Sequence, residues 1–148
     1  MAQTTAPSFL AAFRTQLAAR PGLAGVGVDL VPTGDTSSIE RITLISGRID
    51  GSQERLAMNV RRDGYSVPGQ IDTFAADPDT DVAFQAAINR AAAILDEVIQ
   101  ELDDNRPQVG ITTLDGIIST VAYLPFVEAD GGWRCRCDFV VDYTAAVT

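Results

Sequence analysis

The longest regular pattern of apolar residues in the chain predicts a helix over residues 79–103. Apolar side chains recur there at spacings of four and three residues, which place them on one face of an α-helix. A proline and several aspartates lie at the start of this stretch, and both residue types favour the first turn of a helix. The predicted apolar face consists of Phe84, Ile88, Ala91, Leu95, Val98 and Leu102.

A shorter helical pattern lies near the N-terminus. Phe9, Phe13 and Leu17 recur at intervals of four residues, and a Pro-Gly pair at 21–22 ends the pattern. We expect residues 1–7 to form a flexible tail before this helix. No basic region followed by an apolar one opens the chain, so we expect no signal peptide.

Alternation of apolar and polar residues predicts five strands. They are 23–31, 39–46, 65–75, 117–127 and 133–143. The first two are expected to form a hairpin, and the last two are joined by a turn at 128–132. Pro68 suggests a bulge or an edge position in the third strand. The polar stretch at 47–62 is expected to be a long loop.

The predicted order of elements is helix, three strands, helix and two strands. This order indicates an α+β fold, with a single mixed or antiparallel sheet of about five strands and two helices packed on one face. A length of 148 residues is typical of a single domain, here 1–148. No apolar run approaches the roughly 20 residues that a membrane span requires, so we expect no membrane partner.

The charged residues restrict the possible chemistry. The formal net charge is −9, which argues against nucleic-acid binding because that function requires a basic patch. All eleven basic residues are Arg, and the chain contains neither Lys nor His. Schiff-base chemistry, a P-loop, a His-dependent triad and the common zinc ligand sets are therefore excluded. We expect neither a metal nor a cofactor.

Several local motifs have a structural interpretation. Cys135 and Cys137 lie two residues apart on a strand. In an extended chain their Cβ atoms would be about 6.6 Å apart, which is too far for a disulfide. They are expected to be reduced core thiols. The aspartates at 77, 79 and 81 resemble the start of a calcium loop, but Val82 and Ile88 occupy the required Gly and Glu positions, so helix capping is favoured.

The glycines near the first strand do not form a dinucleotide-binding motif. Gly25 and Gly27 lie on one side of that strand, and their bare backbone suits close approach of another element or subunit. Candidates for a catalytic carboxylate include Asp29, Asp72 and Asp115, any of which would need a pKa raised by burial in a pocket.

The last strand carries charges on one face. Trp133, Cys135, Cys137 and Phe139 are expected to point inward. The opposite face then carries Arg134, Arg136, Asp138 and Asp142. Such a face is either solvated or forms a subunit interface, since Arg makes bidentate pairs with carboxylates of a neighbour.

Over about residues 8–145 the layout resembles the tail terminator proteins of long-tailed, siphovirus-type bacteriophages. The similarity rests on the N-terminal helix ending in Arg-Pro-Gly-Leu, the stretch Arg-Arg-Asp-Gly-Tyr-Ser-Val at 61–67, the long Ala-rich helix, and the strand that follows Gly-Gly at 131–132. The pair Asp63-Gly64 departs from the family, in which this stretch is usually more acidic.

The resemblance implies a virion structural protein that is not an enzyme. It would form a homohexameric ring at the head–tail junction, after assembly in the host cytoplasm. The ring caps the tail tube, stops its polymerisation and joins the tail to the head neck. Its partners would be the tail tube protein and a neck or head-completion protein, and DNA would pass through without specific binding.

The resemblance transfers regions rather than catalytic residues. The final strand and the two glycines are the candidate subunit interface, and the 47–62 loop is the candidate partner-facing region, with Asp50, Arg55, Arg61 and Arg62. Two alternatives stay open. One is a neck or head-closure subunit, and the other is a small α+β ligand-binding module or enzyme that uses a pocket Asp.

Overall fold

The computed structural model describes residues 6–32, 40–57, 60–104, 113–127 and 132–147. Two α-helices, a short 3₁₀ turn and six strands make up these ranges. In chain order they are α1 (Ala6–Ala19), the 3₁₀ turn (Pro21–Leu23), β1 (Gly27–Asp29), β2 (Arg41–Thr43), β3 (Asp50–Ala57), β4 (Val60–Ala75), α2 (Thr80–Asp104), β5 (Thr113–Val127) and β6 (Trp133–Val147).

All six strands belong to one mixed sheet in the order β1-β2-β4-β6-β5, with β3 paired to the first part of β4. β4 and β6 form its centre and pair without interruption from Arg61 opposite Val147 to Ala75 opposite Trp133. Among the strands that the structure describes, only β1 and β2 pair in parallel. The predicted α+β fold with a single sheet is confirmed, although the sheet has six strands rather than five.

Both helices pack on the same face of the sheet. In α1, the Phe9 ring stacks on Tyr143 of β6 with centroids 3.9 Å apart. In α2, the carbonyl of Ala87 accepts a hydrogen bond of 2.8 Å from the Thr73 hydroxyl of β4. We call this side the helix face and the other side the outer face. The hydrophobic core lies between the helices and the helix face.

The buried side of α2 is rotated slightly from the predicted one. The fully buried positions include Ala83, Ala87 and Ala91, while Phe84 and Ile88 are only half-buried. Alanine has no bulk beyond Cβ, so this stripe allows the helix backbone to approach the sheet closely. Phe84 instead packs edge-on against Trp133, with ring centroids 5.1 Å apart.

The expected loop at 47–62 is wrong. Residues 50–57 form β3, which pairs antiparallel with β4 from Asp50 opposite Ser66 to Ala57 opposite Val60. Polar composition suggested a loop, but backbone hydrogen bonds hold a strand at a sheet edge even when its side chains are polar. We call the two paired segments, residues 50–57 and 60–66, the hairpin arm.

The expected hairpin of the first two strands is also wrong. β1 and β2 are three residues long each and run parallel, with Val28 opposite Ile42. Both side chains are buried in the core. Alternation of apolar residues specifies which side chains face inward, but it does not specify the direction of the neighbouring strand.

Pro68 lies in a central strand, not at an edge or a bulge, opposite Val140 of β6. It occupies the gap between the β4 residues paired with β3 and those paired with β2. The Pro68 carbonyl accepts a 2.8 Å hydrogen bond from Ser46 on that side. In a β-strand the nitrogen of a residue points to the same side as its carbonyl. The missing N–H of proline therefore faces the gap and interrupts no ladder bond with β6.

The predicted N-terminal tail at 1–7 is wrong for its last two residues. α1 already begins at Ala6, so residues 6 and 7 are helical, and residues 1–5 lie outside the described ranges. Proline at position 7 is compatible with the helix because the first turn has no partner for its N–H.

Candidate assembly surfaces

The outer face of β6 carries the charged side chains that the alternation predicts. Cys135, Cys137 and Phe139 are buried on the helix face, and Trp133 is half-buried. The opposite positions of the strand point to the outer face and are exposed or half-buried. They include Arg134, Arg136, Asp138 and Asp142.

These four outer-face residues all make contacts within their own chain. Arg136 donates from Nε to Asp138 Oδ1 at 2.9 Å, and this hydrogen bond raises the pKa of Arg136. Asp142 accepts a hydrogen bond from the Ser66 hydroxyl. The Arg134 guanidinium lies 5.2 Å from the centroid of the Phe74 ring. A neighbouring subunit would therefore compete with contacts that already exist.

The two candidate interface glycines lie far across the sheet from this charged row. Gly25 has a φ of +82°, in the left-handed region that favours glycine, and forms the turn before β1. Gly27 opens β1 and donates its N–H to the Glu40 carbonyl at 3.0 Å. Because β2 and β4 separate β1 from β6, the six candidate interface residues form two patches rather than one.

The candidate partner-facing residues lie on the hairpin arm. Asp50 is exposed and pairs with Arg48 at 2.8 Å, and Arg55 stands opposite Arg61 in the β3–β4 ladder. Arg61 binds the fully buried Asp63 with two hydrogen bonds, 2.6 Å from Nε and 3.1 Å from Nη2. Arg62 is exposed, so it is better placed than Arg61 to meet a partner.

The candidate catalytic carboxylates do not converge on a sealed site in the part of the chain that the structure describes. Asp29 forms an ion pair with Arg41, and Asp72 accepts a 2.8 Å hydrogen bond from Gln70. The side chain of Asp115 lies outside the described residues. A depression of about 500 Å³ on the outer face is lined by Asp50, Asp142 and eight other residues.

The remaining motifs play structural roles. Burial raises the pKa of Cys137 to about 12, which keeps this thiol protonated at neutral pH. Asp79 caps α2, since its Oδ1 accepts hydrogen bonds from the backbone N–H groups of Asp81 and Val82 at 3.0 and 3.4 Å. Among the described residues no group of three or more potential ligands could hold a metal. No helix in those ranges is long and apolar enough to cross a bilayer.

Sequence reasoning missed the exposure of β5. Its apolar residues suggested a strand half-buried in the core, yet every residue from Thr120 to Val127 is exposed. α2 packs mainly on the central strands, through Ala87 on Thr73 of β4 and Phe84 on Trp133 of β6, and its Leu102 lies beside Gly116 at the start of β5. One sequence signal was present: residues 116–127 contain no charge, in a chain in which 21% of residues are charged.

Comparison with known proteins gives a match in fold. No protein-family profile matches the sequence, and no curated protein does. Among solved structures, the chain is similar to a component of a structure described as the virion of a native gene transfer agent particle. The TM-score is 0.63 with 17% sequence identity, and the alignment covers 97% of this chain and 99% of the other.

Proposed function

We propose that this chain is a structural subunit of a phage-like particle and acts as its tail terminator. In this role, copies of the chain form a ring that caps the finished tail tube, stops its polymerisation and joins the tail to the neck. The observation that carries the proposal is the similarity in fold, over almost the full length of both chains, to a component of a virion particle. The resemblance to tail terminators in the order of elements supports the more specific role.

The distribution of chemistry favours docking over catalysis. The sequence has no Lys or His, and Asp29 and Asp72 are bound to neighbouring side chains. Two surfaces are instead available to other proteins: the exposed apolar side chains of β5, and the hairpin arm.

The net charge suits a ring through which DNA passes. A six-membered ring would carry a formal charge of −54, which is six times the −9 of one chain. Negative charge along the bore would repel phosphates and keep the genome from binding there. A basic lining of the bore in the assembled ring would contradict this part of the proposal.

Electron microscopy with the cognate tail tube protein tests the function directly. The tube protein is polymerised with and without the chain, and tube lengths and tube ends are scored. We expect a ring at one end of each tube and arrested growth at that end. Tubes that continue to grow at both ends, without added density, would contradict the proposal.

A charge reversal on the hairpin arm tests which surface contacts the tube or the neck. Arg62→Glu is expected to weaken capping without altering the fold, because the side chain is exposed. Arg14→Glu is the matched control, since Arg14 is also exposed and lies on α1, outside residues 47–62. Equal capping by both variants would remove the arm from the proposed contact.

A further inference from the structure

The edge strand β5 carries most of the large apolar side chains that the described surface exposes. Six of the eight such side chains in the described ranges belong to it, each between 39% and 61% exposed. We call them the β5 strip. They are Ile117, Val121, Tyr123, Leu124, Phe126 and Val127. The other two, Val31 and Val82, lie outside β5, in the β1–β2 connection and in the first turn of α2.

The strip is apolar on both sides of the sheet. The pairing of β5 with β6 places Leu124 and Phe126 opposite Arg136 and Arg134, on the outer face. Val121 and Tyr123 stand opposite Phe139 and Cys137, on the helix face, where they are still 41% and 39% exposed. An edge strand that is solvated on both faces would ordinarily carry polar or charged residues, which protect it from unwanted association. From 116 to 127 β5 carries no charged residue, although it includes the polar Ser119 and Thr120.

The charge of the chain indicates what covers the strip. Two copies at −9 each repel one another, and at physiological salt this repulsion acts over about 8 Å. If a second copy docks on the uncharged strip, no negative side chains of the two copies face each other there. Docking on most of the remaining surface would place negative side chains of the two copies close together. A second copy of this acidic chain therefore meets the smallest electrostatic cost at β5.

The strip supplies part of the area that a subunit contact needs. From Ile117 to Val127 the strand extends about 36 Å, and the two side-chain layers together are about 10 Å across, so a neighbour covers roughly 360 Å² of the strip on each copy. A standard specific interface covers about 800 Å² per partner. The difference can come from the adjacent charged row of β6, where the rim of an interface is usually polar.

Two features of β5 indicate that side chains, not a continued backbone ladder, make this contact. The pairing with β6 shifts register between Ile118 and Thr120, which marks an irregularity in the strand. Pro125 has no backbone N–H to offer to an added strand. Both features disrupt indefinite edge-to-edge strand addition while leaving the apolar side chains available.

We propose that the β5 strip is the surface on which a second copy of this chain docks. The inference rests on the proposed ring and names the surface that closes it. In a ring the contact is head-to-tail, so the strip of one copy meets a different surface of the next. The charged row of β6 that adjoins the strip then forms the rim of the interface, not its centre.

Introducing a charge into the strip tests this surface with closely matched controls. Val121→Glu and Val127→Glu place a carboxylate at positions that are 41% and 56% exposed. Val31→Glu and Val82→Glu make the same change at positions that are 53% and 50% exposed, outside β5. Thermal unfolding of all four variants at low concentration verifies that each is folded.

Sedimentation velocity over a concentration series then measures assembly. We expect the two β5 variants to raise the dissociation constant at least about tenfold, as substitutions at interface centres do. The two controls should assemble like the wild type. Raising the NaCl concentration should leave wild-type assembly unchanged or strengthen it. Salt screens the repulsion between the acidic copies, and a contact without ion pairs is not weakened by screening.

The outcomes separate this inference from the proposed function. Wild-type assembly by the β5 variants, or a wild type that is monomeric at every concentration, would overturn the inference even if the chain still caps tubes. A closed dimer that the β5 variants disrupt would support the strip as the contact but contradict the ring. Assembly that salt dissociates would indicate the charged row of β6 instead and would likewise overturn the inference.

Discussion

The neighbouring strands β5 and β6 are both 15 residues long and pair along their length, yet they differ sharply in burial. One face of β6 is closed by the two helices, so that Cys135, Cys137 and Phe139 are at most 1% exposed. The apolar residues of β5 stay in solvent because α2 packs on the central strands β4 and β6 and leaves this edge strand exposed. The difference shows that apolar character alone does not specify a core position. An apolar side chain of the sheet is buried only where a helix packs over it.

Removing an aromatic ring that packs on the buried face of β6 should have the largest effect on stability. Phe9 is fully buried and stacks on Tyr143 of β6. Phe9→Ala removes both the burial and the stacking, and we expect a loss of about 3–5 kcal/mol in the free energy of unfolding. Urea denaturation followed by circular dichroism measures the loss. A change below about 1 kcal/mol would show that α1 contributes little to the core.

The pH dependence of stability tests the burial of the β6 thiols. The pKa of Cys137 is raised by burial from 9.0 to about 12, so the folded state keeps its proton while the unfolded state loses it. The stabilisation is fully present below pH 9 and is lost as the pH rises toward 12, by about 1.4 kcal/mol per pH unit.

Urea denaturation between pH 8 and pH 11 in the presence of a reductant measures this slope. Cys137→Ser is the control, because a serine hydroxyl does not titrate in this range and only the slope, not the absolute stability, is compared. Identical slopes in the two proteins would contradict the burial of this thiol.

The same ring deletion in β5 should have the smallest effect on the isolated chain. Phe126 is 44% exposed, so Phe126→Ala is expected to change the free energy of unfolding by no more than about 0.5 kcal/mol at low concentration. Its effect should appear in self-association instead. A loss of stability as large as that of Phe9→Ala would mean that β5 belongs to the core of a single copy.

Sequence reasoning found the elements with strong periodicity. The bounds of α2, predicted as 79–103, agree closely with Thr80–Asp104, and the inward and outward positions of β6 are as predicted. It failed where backbone pairing decides the structure. The polar residues of β3 suggested a loop. The alternation of apolar and polar residues in β1 and β2 does not indicate that the two strands are parallel.

The candidate surfaces were harder to predict from the sequence than the fold was. Alternation placed Arg134, Arg136, Asp138 and Asp142 on one face of β6, but it could not show that each makes contacts within its own chain. The exposure of β5 depends on which strands α2 packs against, which is a tertiary property. The uncharged run at 116–127 was the only sequence signal, and buried strands show the same signal.

Native mass spectrometry of the purified chain across a concentration series tests most directly whether this protein works by assembling with itself. Our account predicts a closed species of six copies of the 15.7 kDa chain, about 94 kDa, that Val121→Glu reduces to the monomer. A wild-type chain that remains a 15.7 kDa monomer at every concentration, alone and with the tube protein, would contradict it.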